Sequence, residues 1–486
     1  MALTEAKPAT GVHAWRQKTP ALISEHGLIG DLQTAALVAT DGSIDWFCCP
    51  RFDSPSVFAR ILDHERGGFF RIAPVNGDTV VKQLYLPDTA LLITRFMSET
   101  GVAELVDFMP IAQDPKAVTD NHRIVRLVRG IRGEMHLKLE CAPRFDYARA
   151  RHTVDVTEQG AVFEGAGLKL TLHGMPGLER NGDDVSATRT VRANESFGVV
   201  LESAASTPPR PLGYDELWNL LQTTGQFWRD WIGRSTYRGR WREMVDRSAM
   251  TLKLMTYAPT GALVAAPTTA LPEQLGGERN WDYRFTWVRD ASYSVGALNA
   301  LGYREEATAF MWWLRDRFEE HVGTSSGPLK IMYRVDGSSD LVEESLDHLE
   351  GYMGSSPVRI GNGAADQLQL DIYGEAMFAL RQAGGERAPI GHRGWTDITV
   401  LVDWLVKNWD QPDEGIWETR GGPRKFLYSQ LMCWVAMERA IRMANRRGLP
   451  ANLDRWRRAR DEIYRRIMDR DWSAELTAFV QHEGAE

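Results

Sequence analysis

Residues Gly276–Ser292 read GGERNWDYRFTWVRDAS, the densest mixture of charged and aromatic side chains in the sequence. Arginines, carboxylates and aromatic rings follow one another here without the period of an amphipathic helix or of a strand. One interpretation is a salt-bridged loop that enters a helix at about Asp290. The other is a binding site for a polyhydroxylated ligand, because several local rules of sequence are broken together.

The second interpretation, a ligand-binding site, depends on four side chains. Arg289 and Asp290 would offer charge-assisted hydrogen bonds to neighbouring hydroxyl groups, while Tyr283 and Trp287 would supply stacking faces. The chain has 17 tryptophans, and although core filling explains most of them, a sugar site is where several would converge. No nucleotide-binding or zinc-binding pattern is present, so we expect neither a cofactor nor a metal.

A second segment, 410–423, is rich in turn-forming residues and places Glu418 directly after Trp417. A carboxyl group held against an indole ring is partly desolvated, which raises its pKa toward that of a general acid at neutral pH. The alternative is a surface glutamate paired with Arg420 or Arg424.

A third segment, Gly354–Gln369, is a glycine-rich loop that leads into a helix predicted at Leu370–Ala383. Arg359 and Asn362 lie in this loop, where their side chains could reach a ligand. Helix capping by Asn362 or Asp366 explains the same pattern equally well.

The composition restricts the class of protein. The 486 residues carry a formal net charge of −8, without the basic stripe of a nucleic-acid binder. No apolar run approaches the roughly 18 residues of a membrane span, and the N-terminus lacks the apolar stretch of a secretory signal. The four cysteines form no CxxC pair, which favours buried free thiols and a cytoplasmic protein. The composition leaves open whether the chain forms a homo-oligomer.

Hydrophobic patterning divides the chain into an N-terminal extension at 1–20, a β-sandwich domain at 21–205, a linker and bridging helix at 206–237, and a helical domain at 238–486. The sandwich is predicted from short strands in which apolar residues alternate with polar ones, as in Met135, Leu137, Leu139 and Cys141. The bridging helix is predicted at Tyr214–Ile232, after a proline-rich stretch.

The helical domain is predicted from apolar residues that recur with a helical period. They are Ala307, Phe310, Met311, Leu314 and Phe318; Ile398, Leu401, Val402 and Leu405; and Trp456, Ala459, Ile463 and Ile467. About seven or eight helices after residue 238, separated by long loops, suggest an α/α toroid.

At these residues the chain resembles glycoside hydrolase family 15, the glucoamylase and bacterial trehalase-like group. The resemblance extends from about Ile23 to Gln481. It is carried by the opening segment Ile23–Leu62 and by three motifs in order, LPEQLGGERNWDYRFTWVRDAS, GYMGSSPVRIGNGAADQLQLDIYGE and GIWETRGGPRKFLYSQLMCWVA.

The resemblance implies an α+β multidomain protein, an antiparallel β-supersandwich followed by an (α/α)6 toroid. It also implies hydrolysis of α-glucosidic bonds with inversion, at α-glucan ends or in α,α-trehalose. Glu418 matches the general acid and Trp417 the indole beside it. The residues matching those that hold the non-reducing glucose are Tyr283, Trp287, Arg289 and Asp290, and Arg359 matches a sugar-binding arginine.

Two departures from the family pattern affect these expectations. Thr419 stands where several fungal members have a second acidic residue. Family members also continue beyond the segment that resembles Phe479–His482, and their general base lies there. We therefore expect an incomplete toroid of about seven or eight of twelve helices, and we name no base.

Several explanations of the second departure stay open. The chain would be a fragment or frameshift product, or would pair with a second chain, or would be a sugar-binding or oligomerisation protein without hydrolysis. Apart from this departure, a third functional alternative is a metabolic enzyme of the same toroid type that uses phosphate instead of water.

Overall fold

A computed structural model of the chain describes residues 20–75, 78–203, 210–320, 327, 329–384, 391–417 and 421–485. The Cα positions separate into two compact units. One comprises 1–114, 118–230 and 348–356, and the other comprises 115–117, 231–347 and 357–486. Residues 1–19 of the predicted extension and part of the proline-rich linker lie outside the described residues.

The first unit is built from antiparallel strands, which in the described residues form one 15-stranded hydrogen-bonded network. They are β1 (His26–Gly30), β2 (Ala35–Ala39), β3 (Ser43–Cys48), β4 (Ser56–Phe58), β5 (Phe69–Pro74), β6 (Val80–Tyr85), β7 (Leu92–Met97), β8 (Gly101–Phe108), β9 (Arg123–Ala142), β10 (Thr153–Thr157), β11 (Gly160–Gly165), β12 (Leu168–His173), β13 (Glu179–Asn181), β14 (Asp184–Arg192) and β15 (Ser196–Ser203).

Strand β9 joins two halves of this network. Its first half pairs with β8 and β15, and its second half pairs with β5 and β14. Gly133 lies between the halves with φ +59°, and a Cβ there would lie 2.0 Å from the carbonyl oxygen of Thr100. Only glycine fits this backbone conformation and this close approach.

The predicted alternation in β9 is confirmed, since Met135, Leu137, Leu139 and Cys141 are all buried in the core.

The same unit contains a fully buried ion pair between Arg126 and Asp107. The guanidinium of Arg126 donates to Asp107 at 2.8 Å, and both side chains are fully buried. Arg126 also donates to two backbone carbonyl groups, so the buried charge is well compensated.

The long helices of the described residues are α1 (Tyr214–Ile232), α2 (Arg242–Leu254), α3 (Val288–Ala300), α4 (Arg304–Glu320), α5 (Ile372–Gly384), α6 (His392–Asn408), α7 (Leu427–Arg447) and α8 (Leu453–Arg470). Helix α1 has the predicted bounds, and α5 begins two residues later than predicted. Seven helices follow residue 238 in the described part of the chain, as expected from the apolar period.

Most of the predicted apolar rows are buried. Ile398, Leu401, Val402 and Leu405 of α6 lie in the core, as do Trp456, Ala459, Ile463 and Ile467 of α8. In α4 four of the five predicted residues are buried, and Met311 is partly exposed. Burying each leucine, isoleucine, valine or phenylalanine of these rows contributes about 1.5–3 kcal/mol.

Short two-stranded pairs lie between these helices and after the last one. They are Thr256–Tyr257 with Ala262–Leu263, Thr286–Trp287 with Met332–Tyr333, Glu344–Ser345 with Arg359–Ile360, and Trp472–Ser473 with Ala478–Phe479.

Helix α5 packs against both α3 and α7. The approach to α7 is close, because a Cβ on Gly374 would lie 2.5 Å from the carbonyl oxygen of Met432. The packing therefore requires glycine at this position. The first turns of α3, α5 and α7 carry the polar side chains described below.

All four cysteines are free and buried, as predicted. Among the described residues, no helix is long and apolar enough to span a bilayer.

Candidate active site

The segment Gly276–Ser292 contains a buried ion pair. Asp282 accepts from the Arg284 guanidinium at 2.6 and 2.9 Å, and both side chains are almost fully buried. Asp282 also accepts from the backbone N–H of Gly361 at 3.1 Å. The salt-bridge interpretation is therefore correct for this pair, which ties the segment to the loop that carries Arg359.

The two aromatic candidates lie together just before α3. The ring centroids of Tyr283 and Trp287 are 5.5 Å apart at an interplanar angle of 45°. Trp287 is only 2% exposed, so its ring packs within the protein, whereas Tyr283 is partly exposed. Tyr283 is thus the more accessible of the two predicted stacking faces.

Arg289 and Asp290 lie in the first turn of α3. Arg289 Nη1 donates to Gln369 Oε1 at 3.1 Å and lies 3.5 Å from Asp371 Oδ2. Arg289 Nη2 lies 3.3 Å from Asp290 Oδ2, and the Asp290 side chain is 48% exposed. Gln369 and Asp371 thus orient the guanidinium, and the exposed carboxylate of Asp290 lies beside it. Such a pair can form charge-assisted hydrogen bonds to two adjacent hydroxyl groups of a ligand.

Asp371, which the sequence analysis did not single out, is fully buried at the start of α5. Burial raises the pKa of its carboxyl group to about 6, against the opposing charge of Arg289. Its Oδ1 atom has no hydrogen-bond partner among the described residues. The signal available in the sequence was an aspartate in the first turn of the helix predicted at Leu370–Ala383, a position that acidic residues commonly occupy.

A second buried carboxylate, Asp413, lies on the loop that precedes Glu418. Its Oδ2 atom accepts from the backbone N–H of Leu370 at 2.8 Å and from Ser429 Oγ at 2.7 Å. Burial raises the pKa of Asp413 to about 6, against these hydrogen bonds. The sequence analysis included Asp413 in the segment 410–423 without assigning it a role.

Two tyrosines and a glutamate form a further group. Glu375 Oε1 accepts from Tyr293 Oη at 3.0 Å and from Tyr428 Oη at 2.7 Å, and the two hydroxyl groups are 3.1 Å apart. Burial raises the pKa of both hydroxyl groups, and the Glu375 carboxylate raises them further. The hydroxyl groups therefore stay protonated and donate. Tyr293 follows Arg289 by one helical turn, so both lie on one face of α3.

Arg359 is held by the segment Gly276–Ser292. Its Nη1 atom donates to the carbonyl oxygen of Glu278 at 2.6 Å, and its guanidinium lies 4.6 Å from the ring centroid of Trp281. Its Nε atom is 3.5 Å from Glu343 Oε1. These contacts occupy much of the guanidinium.

The capping interpretation is confirmed for Asn362. Its side chain accepts from the backbone N–H of Ala364 at 2.9 Å and so caps the short 3-10 helix Gly363–Asp366. The exposed Asp366 instead pairs with Lys330 at 2.7 Å.

Trp417 is 71% exposed. A cavity of about 280 Å³ beside it is lined by Glu414, Ile416, Trp417, Phe426, Leu427, Tyr428 and Gln481. Glu418, the predicted proton donor, lies outside the described residues, together with Thr419 and Arg420. In the part of the chain that is described, no group of three or more His, Cys, Asp or Glu side chains could hold a metal ion.

Two family models match the chain. The model described as glycosyl hydrolases family 15 matches residues 239–486, and the model described as trehalase-like, N-terminal matches residues 13–209.

Relatives match along most of the chain. A protein named trehalase from Thermoplasma acidophilum is 37% identical over 455 residues, which are 92% of this chain and 76% of the relative. A trehalase from Thermoplasma volcanium is 35% identical, covering 95% of this chain and 73% of the relative. A trehalase from Mycolicibacterium smegmatis is 36% identical, with coverages of 92% and 70%.

A bacterial glucoamylase crystallised with acarbose has the same fold. It aligns with a TM-score of 0.66 at 12% identity, over 99% of this chain and 72% of that one. Together with the matches above, the sheet unit followed by a helical unit defines a glycoside hydrolase. The chain belongs to glycosyl hydrolases family 15.

Proposed function

We propose that this protein hydrolyses α-glucosidic bonds and that its substrate is α,α-trehalose or a closely related α-glucoside. The relatives named trehalase support this substrate class. Arg289 and Asp290 bind hydroxyl groups of the terminal glucose, and Tyr283 stacks on its ring. Trp287 and Arg359 support this surface from within the protein, through Tyr283 and Trp281.

One set of contacts supports the proposed location of the reaction. The cavity beside Trp417 is lined by Tyr428, and Tyr428 shares Glu375 with Tyr293, one turn along α3 from Arg289. The segment that leads to Glu418 and the proposed glucose-binding residues Arg289 and Asp290 therefore lie near the first turns of α3, α5 and α7.

Glu418 is the general acid in this proposal. It protonates the glycosidic oxygen as the bond to the anomeric carbon breaks, and the Trp417 indole keeps the carboxyl group partly desolvated and protonated near neutral pH. Water attacks from the opposite face, so the product has inverted configuration. Inversion requires a second carboxylate roughly 6.5–9.5 Å from the first. That role is left unassigned.

Glucose release from trehalose and from maltose tests the proposal. Glu418→Gln is expected to abolish release while glucose binding, followed by titration calorimetry, stays nearly intact. The exposed Glu462 supplies a matched control, and Glu462→Gln should behave as wild type. Persistent turnover by Glu418→Gln would refute the assignment of the acid.

Proton NMR during turnover tests the stereochemistry. The first product from an α-glucoside should include β-glucose, and its absence at early times would refute inversion. A wild-type chain that binds glucose but releases none from either substrate would favour the sugar-binding alternative.

A further inference from the structure

Two polar contacts join α3 to the start of α5, one helical turn apart. Arg289 Nη1 lies 3.5 Å from Asp371 Oδ2, and Tyr293 Oη donates to Glu375 Oε1 at 3.0 Å. The second contact lies four residues further along both segments, and it therefore follows the first by about 6 Å along the helix axis. Glu375 thus marks a second polar position beside the one proposed to bind glucose.

The first turn of α7 completes this second position. Tyr428 Oη donates to the same Glu375 oxygen at 2.7 Å, and the hydroxyl oxygens of Tyr293 and Tyr428 are 3.1 Å apart. Glu375 is only 1% exposed, whereas Tyr293 is 52% exposed and Tyr428 is partly exposed. A buried glutamate therefore orients the hydroxyl groups of two accessible side chains.

The direction of these hydrogen bonds defines what the tyrosines can bind. A tyrosine hydroxyl group has one proton and can also accept. Because Tyr293 and Tyr428 direct their protons to Glu375, their oxygens remain acceptors toward a ligand. Arg289, by contrast, has only donors. A sugar has several hydroxyl groups that both donate and accept, so one substrate can accept at Arg289 and donate at the tyrosines.

Tyr428 also borders a cavity whose size and lining suit a sugar ring. The cavity of about 280 Å³ has apolar side chains in its lining, including Ile416, Trp417 and Phe426. Its volume is close to the lower limit of about 300 Å³ for small-molecule sites, which suits a single ring. The exposed indole of Trp417 offers a stacking face for that ring, and Tyr428 offers a hydroxyl group at its edge.

From this geometry we infer that Tyr293 and Tyr428 accept hydrogen bonds from the second sugar ring of the substrate. Glu375 is the positioning residue of this pair, which we call the tyrosine pair. The first ring is the terminal glucose at Arg289 and Asp290, so the inference rests on the proposed function. The tyrosine pair then determines the affinity for a disaccharide such as trehalose relative to free glucose.

Binding of a trehalose analogue with sulfur in place of the glycosidic oxygen tests the inference, because a thioglycosidic bond resists hydrolysis. Titration calorimetry compares this analogue with glucose. Tyr293→Phe and Tyr428→Phe each remove one hydroxyl group and keep the ring. Each should weaken binding of the analogue by about 3- to 10-fold, the value of one hydrogen bond, with glucose affinity unchanged. Tyr464→Phe, at an exposed tyrosine of α8, is the matched control and should change neither affinity.

Two further comparisons separate the parts of the site. Asp290→Ala should weaken binding of both the analogue and glucose, because it changes the position of the first ring. Glu375→Leu removes the acceptor that the tyrosine pair shares and should weaken analogue binding as the phenylalanine variants do. Glu375→Gln keeps an amide oxygen as acceptor and should recover most of that loss.

A purely structural role for the tyrosine pair predicts another pattern. Loosened helix packing would lower the free energy of unfolding, measured with urea, and would weaken analogue and glucose binding in parallel. That parallel loss would overturn the inference. Unchanged analogue affinity in both phenylalanine variants, or a wild type that binds the analogue no more tightly than glucose, would overturn it as well.

Turnover distinguishes failure of the inference from failure of the proposed function. If the wild type hydrolyses trehalose, KM should rise in Tyr293→Phe and Tyr428→Phe by about the factor lost in analogue affinity, with a smaller change in kcat. A wild type that releases no glucose, combined with the expected loss of analogue affinity in these variants, would refute the proposed hydrolysis and support the inference.

Discussion

Arg289 and Asp371 face each other at 3.5 Å where the first turns of α3 and α5 meet, with the aspartate fully buried and the guanidinium nearly so. The carboxylate occupies one side of the guanidinium, and Asp290 lies beside it with a largely accessible side chain. A pre-oriented arginine loses less conformational freedom when it binds a ligand. This relationship separates residues that orient the site from those that would touch the sugar.

Asp290→Ala should weaken glucose binding far more than it weakens the fold. A hydrogen bond to a charged group contributes about 1.5–3 kcal/mol, which corresponds to roughly 10- to 150-fold in affinity. The half-exposed side chain implies a change of only about 0.5 kcal/mol in the free energy of unfolding. Titration calorimetry and urea unfolding measure the two quantities, with Asp461→Ala in α8 as the control. Equal losses of binding and stability would favour a purely structural salt bridge.

Asp282→Ala should give the opposite result. Asp282 is fully buried against Arg284, and its removal takes away the carboxylate to which this buried guanidinium donates at 2.6 and 2.9 Å. Breaking such a pair costs about 3–5 kcal/mol. Urea unfolding should show this loss, and glucose affinity per folded molecule should change little. A variant with wild-type stability would show that Arg284 finds another partner or reaches water.

Trp417→Ala tests the role of the indole beside the proposed acid. Trp417 is 71% exposed, so the fold should be nearly unaffected. In the proposed mechanism the indole partly desolvates the Glu418 carboxyl group, so removing the indole should lower the pKa of that group. The basic limb of the kcat profile should therefore move to lower pH. Trp312→Ala, at another exposed tryptophan, should leave the profile unchanged, and an unshifted limb in Trp417→Ala would contradict this role.

Stability should depend on pH through Asp371. Its pKa in the folded protein is about 6, above the value of about 3.9 for an unperturbed aspartate. The folded state therefore binds more protons between these values, and the free energy of unfolding falls as pH rises through this window, by up to about 1.4 kcal/mol per pH unit. Arg289 and Glu375 are the charged groups that act on it.

Asp371→Asn removes this titration. The stability of the wild type relative to Asp371→Asn should be greatest below about pH 4 and should decline until about pH 6. Urea unfolding of both proteins across this range gives the difference, in which other titrating groups largely cancel. A constant difference across the range would show that Asp371 has an ordinary pKa in the folded protein.

Local patterning predicted much of the fold. Helix α1 has the predicted bounds because its apolar residues recur with the helical period. The alternation in β9 correctly predicted its buried face, and the helix near Asp290 begins at Val288. These features follow from the periods of the regular backbone conformations, so a short stretch of sequence is sufficient to predict them.

The candidate site was only partly predictable. The segment Gly276–Ser292 was recognisable by its composition, and the roles of Glu418, Tyr283, Arg289 and Asp290 remain predictions. The importance of Asp371, Glu375 and Asp413 emerged only from their partners, which lie far away in the sequence. An aspartate that pairs with a buried arginine and an aspartate that caps a helix cannot be distinguished from the sequence alone, because the difference lies in their partners.

The sequence by itself thus determined the periods of strands and helices, the family and the segment that concentrates polar and aromatic groups. Tertiary structure alone decided which of those groups are paired, buried or accessible. Asp282 and Asp290 illustrate this, since both lie in one motif. Asp282 is buried and paired with Arg284, whereas the side chain of Asp290 is half exposed to solvent. The physical reason is that burial and pairing depend on neighbours brought from distant parts of the chain.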